Sequence, residues 1–515
     1  MIERTSRRQF MIYGAAVASA IAACGETDDT TTTDMTADVM SSPLTDLFAV
    51  EALAAMNAGT FSAEDYASAL LEKAEEWADL NAWLAFDPDK VIAAARVADN
   101  RRASGATLGP LHGLPVPVKD SVNTRDYPTT AGTPALADFQ PVVDAELVRR
   151  LRAAGAIVMG KTNLHELSYG WTSNNLAFGA VRNPYNTERI PGGSSGGTSA
   201  AIAARMAPIG IAADTQGSIR VPAALCGLCA YRPTQNRYPN QGVAPITSLF
   251  DQVGPHARSV SDLVLFDEVI TGQAFTRPDD VLASLEGARL GVAREFYFEM
   301  LHPDVERITN DAIRKLADAG AIIVEVDVPG VRGLVAETTD PVQIYHTLPS
   351  FSRYLDESAA GLTFNDVVAE VSADIAALFA EYVVEGAPLR PSDEAFIRLR
   401  DERLPFFRQT MADYFSDNRL DGMILPCTQM AAPLIGQDFE VELNGRAVPF
   451  VSVMGRNVSP CSTTGIPGLV LPAGMDGDGL PISIEVDGPA GRDHRMLELG
   501  LAMEQVLGRL PPPTR

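Results

Sequence analysis

Two hydrophobic periodicities divide the chain into helical and extended segments. From residue 44 to about residue 97, apolar residues recur every three or four positions, which predicts a helical region. The pattern breaks at Asn57-Ala58-Gly59-Thr60, and Ser62 with Asp65 predicts the start of a helix. Farther along, β-rich segments are predicted at 114–120, 157–163, 207–213, 288–296 and 320–328, and helices at 144–156, at 198–206 and between the last two strands.

This alternation of strands and helices is typical of the α/β class, with a sheet that carries helices on both faces. No internal repeat and no Pro/Ser-rich seam divides residues 44–515, so a single domain is expected there. Residues from about 330 to 450 lose the alternation and become helical and aromatic. We expect this segment to be a helix-rich elaboration that forms the wall of a pocket.

The N-terminal segment has the features of an export signal. Arg7-Arg8 precede an apolar stretch from Phe10 to Ala23, which is short for a permanent membrane span and typical of a twin-arginine signal. The stretch ends at Cys24 in a lipobox-like sequence, so residues 1–23 are predicted to be removed and Cys24 to be lipidated. Residues 24–43 are Thr/Asp-rich and predict a disordered tether. A plain signal peptide that ends near a cysteine is the alternative.

Composition and charge limit the class of partner. The 515-residue chain is 46% hydrophobic and 21% charged, which is ordinary for a globular protein. Its formal net charge of −25 would repel phosphate backbones, so no nucleic-acid partner is expected. The four cysteines after Cys24 are too few for a disulfide framework, and Cys226-Gly-Leu-Cys229 has no second ligand pair, which favours buried structural thiols.

The run Ile190–Ala200, "IPGGSSGGTSA", is rich in glycine and serine and stands directly before an apolar segment. A phosphate loop is disfavoured because no lysine follows the glycines and no G-x-G-x-x-G is present. Ser195 lies at the centre of a G-x-S-x-G pattern, as in a nucleophile elbow. The preceding residues contain Pro184 and Pro191 and predict a loop rather than the strand that an elbow requires, and no histidine lies in a convincing motif, so the elbow is a minor alternative.

Several longer sequence blocks precede, include and follow this glycine-serine run. In order along the chain they are "GLPVPVKDSVNT" (113–124), "TTAGT" (129–133), "GKTNLHELSYG" (160–170), "RNPYNTERIPGGSSGGTSAA" (182–201), "DTQGSIRVPAALCG" (214–227), "RPTQNR" (232–237), "DQVGPHARSVSDL" (251–263), "STTGIPGLVLPAG" (462–474) and "DGLPISIEV" (478–486). Together they resemble the amidase signature hydrolases over roughly residues 45–510. The resemblance implies the α/β amidase signature fold, a central mixed β-sheet covered by helices on both faces.

The resemblance also implies a Ser-Ser-Lys catalytic triad. Lys119 corresponds to the base, Ser194 to the bridging serine that relays the proton and follows a cis peptide bond, and Ser218 to the nucleophile. A serine hydroxyl needs a base to become nucleophilic, and a lysine can serve when burial lowers its pKa. The apolar run before Lys119 fits a lysine carried inward.

Other site residues follow from the same blocks. The family implies an oxyanion hole, which would be formed by the main-chain N–H groups of Thr215, Gln216, Gly217 and Ser218. Ser195 is expected to support the lysine by hydrogen bonding. Asp214 and Arg220 are expected to pair and hold the turn as a structural salt bridge.

Three further positions, Gln216, Cys461 and His165, bear on the substrate pocket or on metal binding. Gln216 stands where the family usually has glycine, and it would be strained if that position required a positive φ. It would also direct a polar side chain toward the pocket, which affects substrate scope more than mechanism. Cys461 replaces an aromatic residue that the family often has near the acyl pocket, so either a wider pocket or repacking is expected. His165 lacks a second ligand at i+4 and is expected to be a core or loop histidine.

The implied activity is hydrolysis of a carboxamide C–N bond to a carboxylate plus ammonia or amine through an acyl-enzyme. The implied partner is a small-molecule amide, no metal or organic cofactor is implied, and ester hydrolysis is a plausible side activity. The alternatives are a protein like the A subunit of glutamyl-tRNA amidotransferase, a serine esterase, or a non-catalytic solute-binding lipoprotein. The N-terminal segment predicts a periplasmic or cell-envelope location, with membrane contact only through a lipid on Cys24.

Overall fold

The structure is a computed structural model that describes residues 43–275 and 284–515. The predicted signal segment and Cys24 lie outside the described residues. No helix in the described ranges is long and apolar enough to cross a membrane. The strands are β1 (Trp83–Phe86), β2 (Pro115–Lys119), β3 (Ile157–Thr162), β4 (Asn174–Asn175), β5 (Gly179–Ala180), β6 (Ile209–Asp214), β7 (Cys229–Arg232), β8 (Gln252–Ala257), β9 (Arg289–Val292), β10 (Ile322–Glu325), β11 (Gly422–Pro426), β12 (Glu440–Leu443), β13 (Arg446–Pro449), β14 (Gly468–Met475) and β15 (Pro481–Asp487).

Eleven of these strands form one mixed sheet in the order β1-β3-β2-β6-β8-β7-β14-β15-β11-β9-β10. β2 pairs in parallel with β3 and β6, and β9 pairs in parallel with β10 and β11. The remaining pairs are antiparallel. The parallel alignment of β2 and β6 brings their carboxyl ends to the same edge, where the site described below is built.

Helices flank this sheet. They are α1 (Ala49–Asn57), α2 (Ala63–Glu76), α3 (Pro88–Ala103), α4 (Glu146–Ala153), α5 (Gly196–Ala203), α6 (Arg220–Leu225), α7 (Val260–Thr271), α8 (Pro303–Asp318), α9 (Val331–Glu357), α10 (Phe364–Val368), α11 (Ala373–Tyr382), α12 (Asp393–Arg398), α13 (Leu404–Asp417), α14 (Val451–Met454), α15 (Ser459–Thr464) and α16 (Asp493–Leu507). Short 3-10 helices (Leu44–Asp46, Ala78–Leu80, Pro134–Leu136 and Glu166–Ser168), the turn Arg294–Tyr297 and the π-helix Leu399–Arg403 complete the set.

The hydrophobic pattern explains which surfaces are buried. α4 buries Leu147, Val148 and Leu151 and leaves Arg149 exposed, as an amphipathic helix does when it packs on a core. β2 is buried at every position and β6 at all but one. Because both faces of these strands are covered, their sequences do not alternate between apolar and polar residues. The predicted α/β class and mixed sheet are confirmed.

Two predictions of local structure were wrong in part. The region predicted to be helical up to residue 97 contains β1, which pairs with β3, because a four-residue apolar segment cannot be assigned from periodicity alone. The Ser62 helix start is confirmed, since Ser62 Oγ accepts from the N–H of Asp65 at 2.9 Å. The 330–450 segment is helical up to Asp417, but β11 then enters the central sheet, and β12 and β13 form a hairpin.

Candidate active site

Lys119 is the last residue of β2 and is fully buried. Its Nζ donates to Ser194 Oγ at 2.7 Å and to the carbonyl oxygen of Ala213 at 3.3 Å. The peptide bond between Gly193 and Ser194 is cis. The structure therefore brings together two of the three residues predicted for the triad.

The environment of Lys119 favours its neutral, basic form. Burial lowers the pKa of Lys119 from its ordinary value of 10.5 to about 7, although Asp214 and Asp251 raise it in part. Among the described residues, no carboxylate lies within ion-pair distance of its Nζ. A lysine with a pKa near 7 is a competent general base at neutral pH.

Close packing explains why the run around Ser194 consists of small residues. A Cβ added to Gly197 would lie 2.6 Å from the carbonyl oxygen of Ala82 and from the main-chain nitrogen of Asn163. Ser173, which sequence reasoning missed, forms hydrogen bonds with the main chain of this glycine-serine run. Its Oγ accepts from the N–H of Gly196 at 3.0 Å and donates to the carbonyl oxygen of Ser194 at 3.3 Å.

Ser195 contributes differently from the prediction. It does not hydrogen-bond to Lys119. Its Oγ donates instead to the carbonyl oxygen of Ala213 at 3.1 Å, which also accepts from Lys119. The elbow alternative also fails on geometry, because no strand in the described residues leads directly into Ser195 and its side chain is sealed from solvent.

The turn at residues 214–218 follows β6 and carries the predicted nucleophile. The N–H of Gly217 donates to Asp214 Oδ1 at 2.8 Å, so the prediction that it serves an oxyanion hole was wrong. The N–H groups of Thr215, Gln216 and Ser218 make no hydrogen bond to the described residues. Three free donors are thus available at this turn, on either side of the engaged Gly217 N–H.

Ser218 lies in this turn with 5% of its surface exposed. Its hydroxyl makes no hydrogen bond to Ser194 or to any other described residue. The structure therefore contains the Lys119–Ser194 half of the predicted relay and leaves the Ser218 hydroxyl free to contact a ligand.

The predicted Asp214–Arg220 pair is present and belongs to a larger buried network. Arg220 Nε lies 3.1 Å from Asp214 Oδ2, and Arg232 Nη1 lies 3.0 Å from Asp214 Oδ1. Burial alone would raise the pKa of the Asp214 carboxyl, but the two guanidinium groups hold it well below its usual value. Arg220 also pairs with Glu485 and donates to Ser462. Sequence reasoning missed Arg232, Glu485 and Ser462, because their partners lie far away in the chain.

Gln216 is accommodated without the strain that its position suggested. Gly217 carries the positive φ of the turn, at 95°, and Gln216 is not among the residues with positive φ. The Gln216 side chain donates to Asp340 and Gln343 on α9. Cys461 packs in the apolar cluster around Phe296 and Met411, and its Sγ donates to the carbonyl oxygen of Ile466, which favours repacking over a wider pocket.

Two carboxylates near the site were also missed, the buried Asp120 and the half-buried Asp251. Asp120 follows Lys119 and pairs with the buried Lys161 at 3.1 Å. Asp251 accepts from Thr215 Oγ1 at 2.6 Å, and burial raises its pKa to about 7. Both carboxylates fasten loops around the 214–218 turn and the end of β2.

Histidines and cysteines occupy structural positions. His165 is buried with Nδ1 3.1 Å from Thr172 Oγ1, as expected for a core histidine. Cys226 and Cys229 are buried free thiols, as predicted. Among the described residues, Cys461, Glu485 and Asp487 form one group with metal-ligand composition, but Glu485 is already engaged by Arg220.

The chain is similar to known proteins over most of its length. The Amidase family model matches residues 65–497. The chain is 37% identical over 466 residues to an indoleacetamide hydrolase of Agrobacterium vitis, covering 90% of this chain and 97% of the relative. It is 34% identical over 487 residues to a mandelamide hydrolase of Pseudomonas putida, covering 92% and 94%.

A solved structure shows the same fold. The native peptide amidase of Stenotrophomonas maltophilia superposes with a TM-score of 0.77 at 29% identity, covering 92% of this chain and 99% of that one. The chain belongs to the amidase signature family. It is an amide-hydrolysing enzyme that acts on a small-molecule amide.

Proposed function

We propose that the enzyme hydrolyses a primary carboxamide through an acyl-enzyme on Ser218, with Lys119 as the base and Ser194 as the proton relay. The observation that carries the proposal is the 2.7 Å hydrogen bond between the buried Lys119 Nζ and Ser194 Oγ, beside a turn that carries a free serine hydroxyl. A neutral lysine can remove a proton only through a directly bonded partner, and Ser194 is that partner.

In the first half-reaction, Ser218 Oγ forms a bond to the amide carbonyl carbon while its proton passes through Ser194 to Lys119. The N–H groups of Thr215, Gln216 and Ser218 stabilise the oxyanion, a type of contact typically worth about 3–4 kcal/mol per donor. The C–N bond then breaks, and the proton on Lys119 returns through Ser194 to the leaving nitrogen, which departs as ammonia.

In the second half-reaction, water attacks the acyl carbon and gives its proton to Lys119 through the same path. The Ser218 Oγ–C bond breaks, the proton on Lys119 returns through Ser194 to Ser218 Oγ, and the acyl group leaves as the carboxylic acid. The released acid ionises to the carboxylate by giving its proton to the ammonia, and Lys119 and Ser194 end in their starting protonation states.

For the acyl group we propose an aryl-substituted acetamide. The named relatives at 37% and 34% identity hydrolyse indoleacetamide and mandelamide, and both amides carry an aryl ring one carbon from the carbonyl. The 330–450 segment, with α9 beside the 214–218 turn, is proposed to form the wall of the acyl pocket.

The test is ammonia release from indole-3-acetamide, phenylacetamide and a short aliphatic amide by the wild type and by Ser218→Ala and Ser195→Ala. We expect Ser218→Ala to lose all measurable turnover and Ser195→Ala to keep a reduced rate. Added hydroxylamine should yield the hydroxamate with the wild type and, more slowly, with Ser195→Ala, but not with Ser218→Ala. Turnover that survives in Ser218→Ala but disappears in Ser195→Ala would move the nucleophile to Ser195 and contradict the proposal.

We also propose that the enzyme is exported and anchored by a lipid on Cys24. Arg7-Arg8, the apolar stretch from Phe10 to Ala23 and the following cysteine support it. Mass spectrometry of the N-terminal peptide and membrane fractionation test it, with Cys24→Ser as the control. A wild-type protein that is retained unprocessed in the cytoplasm would contradict it.

A further inference from the structure

The side chain of Gln216 connects the 214–218 turn to α9. Its Nε2 donates to Gln343 Oε1 at 2.7 Å and to Asp340 Oδ1 at 3.1 Å. Its main-chain carbonyl oxygen accepts from the indole N–H of Trp171 at 2.7 Å. Gln216 is 5% exposed, so both its backbone and its side chain are held in place.

The two partners on α9 also fix which way the Gln216 amide points. The Gln216 atom that faces Asp340 Oδ1 is the amide nitrogen, which donates to this acceptor oxygen. Oε1 of Gln216 then points away from Asp340, and it accepts no hydrogen bond from the described residues. An oriented acceptor without a partner is thus available two residues before Ser218.

We propose that Gln216 is a specificity-determining residue, which ties the pocket-wall helix α9 to the 214–218 turn and offers Oε1 to a hydrogen-bond donor on the acyl side of the substrate. This inference rests on the proposed function, because it requires the substrate carbonyl to lie at the 214–218 turn. A glutamine side chain reaches only a few ångströms from its own backbone, so the donor must be on the carbon next to the carbonyl. The substrate class is therefore an amide with a hydroxyl or amino group at that carbon.

The experiment compares three amides that share one carbon skeleton: 2-hydroxy-2-phenylacetamide, 2-phenylacetamide and 2-methoxy-2-phenylacetamide. A single hydrogen bond contributes about 0.5–1.5 kcal/mol, which converts to a roughly two- to twelvefold preference in kcat/KM for the hydroxy amide. The methoxy amide keeps the oxygen and lacks the donor, so it should be no better than 2-phenylacetamide. This arm uses only the wild type and does not depend on the folding of any variant.

In Gln216→Met, the side chain keeps its length and loses both the donor and the acceptor. We expect the preference for the hydroxy amide, measured as the ratio of kcat/KM for the hydroxy amide to kcat/KM for 2-phenylacetamide within the variant, to disappear. Gln343→Met, which removes one anchor on α9, should reduce the preference and raise KM more than it lowers kcat. Gln409→Met is the matched control, because Gln409 lies exposed on α13 and its side-chain amide bonds only Asp413 among the described residues.

Equal kcat/KM for the hydroxy and methoxy amides, or an unchanged preference in Gln216→Met, would overturn the inference and leave the amidase proposal intact. Failure of the wild type to hydrolyse any of the three amides, with no hydroxamate formed in hydroxylamine, would instead overturn the proposed function and this inference with it.

Discussion

Lys119 Nζ lies 2.7 Å from Ser194 Oγ, while Lys161, on the neighbouring strand, lies 3.1 Å from the carboxylate of Asp120. Both lysines are fully buried. Burial lowers the pKa of each, but only Lys161 is held by a paired charge. The two lysines thus differ in a testable way: one is a buried base and the other is half of an ion pair.

The first prediction concerns this difference. Lys119→Met should lower kcat by about 10²–10⁴-fold, the usual contribution of a general base, with little change in the free energy of unfolding. Lys161→Met should cost about 3–5 kcal/mol of stability, because it leaves the Asp120 carboxylate buried and unpaired. Ammonia release and urea unfolding of both variants measure these effects. A loss of stability in Lys119→Met as large as that in Lys161→Met would contradict the assignment.

The second prediction is a pH profile. Because burial lowers the pKa of Lys119 to about 7, the lysine is protonated and inactive as a base below that pH. The kcat/KM should therefore rise with pH and level off above about 7. Since the ionised form of Asp251 raises the pKa of Lys119, Asp251→Asn should move the rise to lower pH. A profile that falls between pH 6 and pH 8 in the wild type would be inconsistent with a lysine base.

The sequence predicts where strands and motif residues lie along the chain better than it predicts which residues contact one another in the fold. The strand ending at Lys119 and the cis-linked Ser194 follow from motif blocks, since those blocks are contiguous in sequence. The Asp214 network joins residues up to 265 positions apart, and the pairing of Gln216 with α9 spans 127 positions. Such contacts depend on how the sheet orders its strands, which no local pattern specifies. The role of the Gly217 N–H was mispredicted for a different reason, because it donates to Asp214 only three residues away.

The third prediction tests the close packing of the glycine-serine run. Gly197→Ala would place a Cβ 2.6 Å from backbone atoms that cannot rotate away, so a cost of about 1–3 kcal/mol or more is expected. Gly333→Ala is the matched control, since Gly333 lies within α9 and a Cβ there meets no atom within 4 Å. Alanine should stabilise that position by about 0.5–1 kcal/mol. Thermal unfolding of both variants measures the contrast, and equal melting temperatures would show that the run tolerates expansion.

The fourth prediction concerns the carboxylate beneath the 214–218 turn. Asp214 accepts from the N–H groups of Gly217 and Ile219 and pairs with Arg220 and Arg232. Asp214→Asn keeps the shape of the side chain but removes its charge and one acceptor. Arg220 retains Glu485, whereas Arg232 loses its only carboxylate partner among the described residues. We expect a loss of about 3–5 kcal/mol in the free energy of unfolding and a lower kcat, because the turn is no longer held.

The pH dependence of that loss gives a sharper test. The arginines hold the pKa of Asp214 below its unfolded value, which is about 3.9 for an aspartate. The stabilisation from the carboxylate is therefore fully present above about pH 5 and decreases as the pH falls below about 4 toward the folded pKa. The stability difference between wild type and Asp214→Asn should be constant from pH 5 to pH 8 and should shrink at pH 3 to 4. Asp401→Asn, which alters an exposed pair with Arg400, should be indistinguishable from the wild type in stability throughout this pH range. A difference for Asp214→Asn that grows as the pH falls would mean that the carboxyl is protonated in the folded enzyme, and the turn would then be held by neutral hydrogen bonds rather than by charge.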